Sequence, residues 1–298
     1  MKNVISIGDF SREDLDSVFK NAEKMHSMLE KKKALELMKG KIMGALFFEP
    51  STRTRLSFES AMNRLGGRVI GFSEPSSTSI AKSETIADTV QTVAQYTDII
   101  AMRSPFPGAA KLASEVVDVP VINGGDGSRE HPTQTMLDLF TIKKEKGRLD
   151  DLKIAMVGDL KYGRTVHSLC KAFRLFKNTE FTFIAPEELK IPDEYKEGDY
   201  TETTKLELED ADVVYMTRIQ KERFADPTEY EKLKGIFRVT KKTLETMKKD
   251  AIVMHPLPRV GEIDWRCDSD PRCIYFRQAY YGVPTRMALI KMALEGSK

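Results

Sequence analysis

Ser51-Thr52-Arg53-Thr54-Arg55 follows the apolar block Ile42-Met43-Gly44-Ala45-Leu46-Phe47-Phe48 and the breaker Glu49-Pro50. The apolar block reads as a buried strand. Beyond the cluster, Phe58, Ala61, Met62 and Leu65 recur at the i, i+3, i+4, i+7 spacing of an amphipathic helix, which Gly66-Gly67 ends. The cluster therefore occupies a strand–loop–helix junction. Backbone N–H groups at such a junction lack helical partners, and the positive end of the helix dipole points outward. Hydroxyls and guanidinium groups added there suit a phosphate. A plainer reading has Ser51 capping the helix and both arginines solvated. A cap accounts for one serine and leaves the neighbouring threonines and arginines unexplained.

The chain around this junction has 298 residues, enough for two domains, with 41% hydrophobic and 31% charged residues and a net charge of +2. It carries no basic tail, so nucleic acid is not favoured. No apolar run approaches membrane-spanning length. The N-terminal Met1-Lys2-Asn3-Val4-Ile5-Ser6 has no signal-peptide core. Cys170, Cys267 and Cys273 are few and odd in number, which fits a reducing cytoplasm. Cys267 and Cys273 lack zinc-like partners, so no metal site is expected.

Upstream of the junction, Ser11 opens a helix with an apolar stripe at Leu15, Val18, Ala22, Met25 and Leu29, expected to run close to Gly40. His26 falls off that stripe and reads as a surface residue. Downstream, Arg68–Phe72 reads as a strand, and 73–83 as an exposed Ser/Thr-rich loop whose single basic residue is Lys82. A helix over 84–96, a strand over 99–102, a short helix near 109–117 and a strand over 119–122 follow. Asn123-Gly124-Gly125-Asp126-Gly127 reads as a flexible turn, and Pro132 stands near the first position of the next helix. Gly147-Arg148-Leu149-Asp150-Asp151 marks the point where a second strand–helix series begins. Its strands are expected at 154–157, 181–184, 212–216 and 251–254, and the last helix at 284–294. This alternation predicts an α/β fold of two doubly wound domains, each with a central parallel sheet.

Ligands of open α/β sheets bind beyond the carboxyl ends of the strands. The polar clusters fall there: Ser51 to Arg55, Arg103, His131 with Gln134, Arg164, Arg218 with Gln220, and His255-Pro256-Leu257-Pro258. Their distribution over both halves predicts an interdomain cleft, rich in arginine and therefore suited to anions. Gly158-Asp159-Leu160-Lys161-Tyr162-Gly163-Arg164-Thr165 approximates a nucleotide-binding loop with arginine in place of its lysine. A guanidinium fork fits a carboxylate better. His131 alone would more often be structural; its place beside Gln134 in an arginine-rich set points to function. His167 lies within an amphipathic helix and reads as structural.

Taken together, these stretches resemble the aspartate/ornithine carbamoyltransferase family, on its aspartate branch. The resemblance rests on Phe48-Glu49-Pro50-Ser51-Thr52-Arg53-Thr54-Arg55, His131-Pro132-Thr133-Gln134, 156–168, Tyr215-Met216-Thr217-Arg218 and His255-Pro256-Leu257-Pro258-Arg259, in fixed order along the chain. It implies carbamoyl transfer from carbamoyl phosphate to L-aspartate, a step of pyrimidine biosynthesis, without metal or cofactor. It implies that Ser51, Thr52, Arg53 and Thr54 hold the phosphate. Thr54, Arg103 and His131 would polarise the carbonyl, and Gln134 with the main chain of Pro256 and Leu257 would hold the carbamoyl amide. Lys82, Arg164, Arg218 and Gln220 would bind the aspartate. Ser79 and Lys82 would come from the neighbouring subunit of a homotrimer, to which a separate regulatory chain could bind. It also implies a cis Leu257–Pro258 peptide. It places the carbamoyl-phosphate domain at 1–134 with 282–298 and the aspartate domain at 135–281.

Departures from the family pattern are a short 73–83 loop, a short linker after Ile191, and Glu130 where an amide is common. A carboxylate at 130 would raise the basicity of His131. Two rivals stand beside this reading. Ornithine carbamoyltransferase would have His-Cys-Leu-Pro where this chain has His255-Pro256-Leu257-Pro258, and Lys221 and Arg223 near Arg218 favour a dicarboxylate. A non-catalytic sensor of a phosphate metabolite would not need the full set of Arg53, Thr54, Arg103 and His131.

Overall fold

The computed structural model describes residues 2–74, 78–127, 129–220, 224 and 226–296. The chain divides into two compact units, one formed by 1–140 with 279–298 and the other by 141–278.

The first unit is built on a parallel sheet in the order β2-β1-β3-β4, with β1 at Ile42–Phe47, β2 at Arg68–Phe72, β3 at Ile99–Ser104 and β4 at Val121–Asp126. Its helices are α1 (Arg12–Glu30), α2 (Thr52–Arg64), α3 (Ile86–Ala94) and α4 (Ala109–Val116). Two longer helices, α5 (Pro132–Lys146) and α9 (Tyr275–Glu295), each have residues in both units. β1 and β3 are almost wholly buried, as befits parallel strands covered on both faces. Phe58 of α2 is completely buried and anchors the helix behind the Ser51 cluster; truncating such a side chain costs about 3–5 kcal/mol.

Several expectations are corrected here. α1 ends at Glu30, well before Gly40. The apolar stripe stops at Leu29, and Lys31-Lys32-Lys33 has nothing to bury. His26 is buried, not on the surface, with its ring 5.8 Å from Tyr280 and 5.5 Å from Tyr281. The Asn123–Asp126 stretch is no flexible turn: it is the carboxyl half of the fully buried strand β4. The Asn123 side chain donates to the Ile5 carbonyl at 2.9 Å and accepts from the Gly125 N–H at 2.8 Å, so its polar atoms are satisfied inside. Val4 bridges Ile122 and covers the outer edge of β4. α9 begins at Tyr275, and Pro284 lies inside it rather than at its start.

The second unit carries a parallel sheet in the order β7-β6-β5-β8-β9. Its strands are β5 (Lys153–Val157), β6 (Glu180–Ile184), β7 (Asp199–Thr203), β8 (Val213–Met216) and β9 (Ile252–Met254), and its helices α6 (Arg164–Phe173), α7 (Pro227–Leu233) and α8 (Lys241–Thr246). β7, α7 and α8 carry patterns too short or too polar to stand out in the sequence. Between β6 and β8 lie two 3-10 turns and the exposed edge strand β7, with no α-helix, in keeping with the short linker after Ile191. No helix of the described residues is long and apolar enough to cross a membrane.

Candidate functional site

In each sheet the strand order reverses once. In the first unit the chain goes from β1 to β2 on one side and then to β3 on the other, so β1 and β3 flank the switch point. Loops leaving the carboxyl ends of two such strands diverge and leave a crevice. The loop after β1 carries Ser51 to Thr54, and the end of β3 carries Arg103, which is paired in register with Phe47.

Ser51 is the N-cap residue of α2, yet its side chain makes no capping hydrogen bond, and the first turn holds no acidic residue. The capping explanation for Ser51 therefore fails, and no acidic side chain in the helix's own first turn offsets its positive end. Arg55 is turned to its own helix, with Nε 2.6 Å from Glu59 Oε1. Arg53 is exposed at the helix start, whereas Thr54 is buried. A Cβ added to Gly124 would stand 3.4 Å from the Thr54 methyl and 3.1 Å from the Met102 carbonyl, so this glycine lets α2 approach the end of β4.

The Arg103 guanidinium pairs with Glu49 at 2.6 Å and reaches the Gly124 carbonyl at 3.5 Å. Burial pulls its pKa down, and the Glu49 carboxylate pulls it back up. The register of β3 with β4 shifts between Met102 and Ser104, which re-aims the strand at Arg103. His131 is buried immediately before α5, and its carbonyl accepts from the N–H groups of Gln134 and Thr135 at 2.9 and 3.1 Å. Asp126 fixes this segment by accepting from the Glu130 N–H at 3.2 Å and the Gly108 N–H at 3.0 Å. The Gln134 amide donates to Asp138 Oδ1 at 2.9 Å. Glu130 places Oε2 on the Ile7 N–H at 2.9 Å, tying the N-terminal segment to the start of α5.

In the second unit β5 and β8 flank the switch point. The loop after β5 leads to Arg164 at the start of α6, and β8 runs into Arg218 and Gln220. A Cβ at Gly158, where φ is +114°, would meet the Thr217 carbonyl oxygen at 2.3 Å, so only glycine allows the two strand ends to close in. Completely buried Asp159 joins them: Oδ1 accepts from the Tyr162 N–H at 3.0 Å and Oδ2 from the Gln220 side-chain amide at 3.3 Å. Gln220 also donates to the Tyr162 carbonyl at 3.3 Å. Register pairing of Tyr215 with Met254 sets the 255–258 segment beside the end of β8. The Leu257–Pro258 peptide is cis, and Leu257 has φ +58°. Within each unit, then, the candidate anion-binding side chains lie on segments that leave the carboxyl ends of the parallel strands.

The family model "Aspartate/ornithine carbamoyltransferase, carbamoyl-P binding domain" matches residues 2–144, and "Aspartate/ornithine carbamoyltransferase, Asp/Orn binding domain" matches 150–293. The chain belongs to the aspartate/ornithine carbamoyltransferase family. The aspartate carbamoyltransferase catalytic subunit of Methanococcus vannielii is 54% identical over 297 residues, covering 98% of each chain. The catalytic subunit of Methanocaldococcus jannaschii aspartate transcarbamoylase superposes with a TM-score of 0.93 at 50% identity over 99% of each chain. The Trypanosoma cruzi aspartate transcarbamoylase solved in complex with carbamoyl phosphate has a TM-score of 0.92 at 39% identity, over 97% of this chain and 95% of that one.

As a member of this carbamoyltransferase family the chain shows groups the motif reading passed over. Arg286 of α9 is buried, donating from Nη1 to Ser57 Oγ of α2 at 2.9 Å and from Nη2 to Thr133 Oγ1 at 3.4 Å. Its guanidinium lies 5.0 Å from the Phe58 ring centre. Burial above all, helped by the charge of Arg103 and opposed by the field of Asp138, lowers its pKa to about 10. A lone arginine directly ahead of the apolar run Met287-Ala288-Leu289-Ile290 was the available signal. Glu49, read as a breaker, is the partner of Arg103.

Not every candidate joins these groups. Ser79 and Lys82 bound a 3-10 turn in which Lys82 is exposed, and the Ser79 side chain lies outside the described part. Lys221 and Arg223 lie outside the described residues. His167 is structural, stacked on Tyr195 at 4.0 Å with Nε2 2.8 Å from the Leu160 carbonyl. Among the described residues no group of His, Cys, Asp and Glu could hold a metal ion.

Proposed function

We infer that this protein is an aspartate carbamoyltransferase catalytic chain, transferring the carbamoyl group of carbamoyl phosphate to L-aspartate to give N-carbamoyl-L-aspartate and phosphate, a step of pyrimidine biosynthesis. The observation that carries the reading is end-to-end similarity to catalytic subunits of that name at 54% identity, joined to two switch-point clusters that each suit an anion.

In this reading Ser51, Thr52, Arg53 and Thr54 bind the phosphate, and Thr54, Arg103 and His131 receive the carbonyl oxygen. Gln134 and the backbone of Pro256 and Leu257 hold the carbamoyl amide. Arg164, Arg218 and Gln220 hold the two aspartate carboxylates. The amine nitrogen attacks the carbonyl carbon, and the C–O π electrons move onto oxygen, where the fixed cations and donors stabilise them. The oxyanion then collapses, the C–O bond breaks with its electron pair leaving on the phosphate oxygen, and the departing phosphate takes the proton that the amine gives up. Carbamoyl phosphate arrives activated, so placement and charge stabilisation supply the catalysis. A homotrimer in the cytoplasm completes the proposal, with Ser79 and Lys82 reaching a neighbouring subunit's site.

The test is a product assay with carbamoyl phosphate and a panel of amines. N-carbamoyl-L-aspartate should form and citrulline should not, because ornithine would bring a cation to an arginine-lined site. Carbamoylation of ornithine without that of aspartate would overturn the assignment.

A further inference from the structure

The backbone of Pro256 and Leu257 leaves β9 in an unusual conformation, with Leu257 at φ +58°, where a bulky residue is rarely found. Something must hold it. The Leu257 N–H donates to Nδ1 of His255 at 2.7 Å, two residues back. Nδ1 is therefore the unprotonated nitrogen, since a protonated one would face a second donor. The imidazole proton sits on Nε2, 2.7 Å from Glu262 Oε1. Glu262 is fixed in turn: its Oε2 accepts from the N–H groups of Val260 and Gly261, both at 3.0 Å. The His255 N–H itself donates to Gln278 Oε1 at 2.9 Å. The imidazole is fully buried, so no water competes for its nitrogens.

We propose that His255 and Glu262 are positioning residues: the Glu262 carboxylate selects the Nε2–H tautomer of His255, whose Nδ1 then clamps the Leu257 N–H and aims the Pro256-Leu257 main chain at the carbamoyl group. This rests on the carbamoyl-transfer reading for what the main chain binds; the tautomer lock rests on the hydrogen bonds alone. A carboxylate is the group the arrangement needs, because both oxygens must accept. A glutamine at 262 offers one acceptor and one donor. With its oxygen toward the imidazole, its NH2 faces the Val260 and Gly261 N–H groups. With its oxygen toward those, its NH2 faces Nε2, and the proton moves to Nδ1, against Leu257.

Three measurements decide it. Nitrogen-15 NMR of histidine-labelled protein at neutral pH should show one neutral histidine, the one absent from His255→Asn, protonated at Nε2 and bare at Nδ1. Protonation at Nδ1 would overturn the lock. Glu262→Gln should lower kcat/KM for carbamoyl phosphate by ~10-fold or more, as a misaimed contact group does, and move His255 toward the Nδ1–H form. The third variant combines Glu262→Gln with His255→Asn. An asparagine side chain offers Oδ1 to the N–H two residues on and has no tautomer to select. The double variant should therefore recover much of the kcat/KM lost in Glu262→Gln. A double variant no better than Glu262→Gln would return both residues to a merely structural role. Wild-type protein inactive with every amine would instead overturn the proposed function, with the tautomer result still standing.

Discussion

Arg103 and Glu49 meet at the carboxyl ends of β3 and β1, the guanidinium Nη2 2.6 Å from the carboxylate Oε1. The pair is largely shielded from water, and burial already works against the Arg103 charge. Removing the carboxylate charge leaves that cation under-compensated. Glu49→Gln should therefore destabilise the ligand-free protein by about 1–3 kcal/mol. An anion at Arg103 would replace the lost charge, so phosphate should stabilise Glu49→Gln more than wild type. Thermal unfolding with and without phosphate checks both points. Equal midpoints and equal phosphate shifts would show that Glu49 does not hold Arg103.

Arg53 stands exposed at the start of α2, where no acidic residue in the first turn neutralises the dipole. In the proposed role Arg53 makes a charge-assisted contact to phosphate, so Arg53→Ala should cost at least ~2 kcal/mol of transition-state stabilisation, about 30-fold in kcat/KM. Steady-state kinetics in carbamoyl phosphate give the answer. Near-native constants would return Arg53 to the solvated surface.

The strands at both switch points were legible because Ile42–Phe47, Ile99–Met102, Ile154–Val157 and Val213–Met216 are unbroken apolar runs, the pattern of buried parallel strands. The groups they carry were legible through their fixed order. Asn123 to Asp126 was not, because turn-forming residues sit in a strand whose edge is closed by Val4, more than a hundred residues away in sequence. His26 escaped for the same reason: the tyrosines that bury it lie on α9. Pro284 favours a helix start locally, yet packing carries α9 through it. Arg286, Glu49 and Glu262 matter through partners brought together only by the fold.

Gly158, just after β5, packs against Thr217, just after β8. A methyl group there would press on the Thr217 carbonyl oxygen at 2.3 Å, in a backbone conformation that disfavours any side chain. Gly158→Ala should cost ~2 kcal/mol or more. It should also raise the KM for aspartate, since Arg164 and Gln220 depend on this junction. Urea unfolding and kinetics in aspartate are the measurements; unchanged values in both would remove the close approach from the account.

Asp212 opens β8 and accepts from the Lys153 N–H at 3.0 Å and from Lys248 Nζ at 3.0 Å. Burial pushes its pKa up, but the Lys153 N–H and the Lys248 ammonium outweigh it and hold the carboxyl below its ordinary value of 3.8. A carboxyl depressed on folding gives stability that is complete above the unfolded value and is lost as pH falls through the lower folded value. The stability gap between wild type and Asp212→Asn should be constant near neutral pH and shrink below about 4. Denaturation midpoints of the two proteins across that range test the sign; a gap that widens on acidification would contradict it.

Lys82 is exposed in its own chain, on a turn remote in sequence from Arg164 and Arg218. In a cyclic trimer the interfaces are heterologous, so each loop can serve one neighbour. Arg53→Ala and Lys82→Ala should each be nearly inactive alone. When the two are dissociated, mixed in equal amounts and reassembled, a site is whole if its own chain keeps Arg53 and its neighbour keeps Lys82. Each condition holds for half of the chains, so roughly a quarter of native activity should return on random reassembly. Were Lys82 to act within its own chain, every site in every hybrid would lack one of the two residues. Hybrids that reassemble by mass yet stay inactive would therefore place Lys82 in its own chain's site and overturn the shared-site reading.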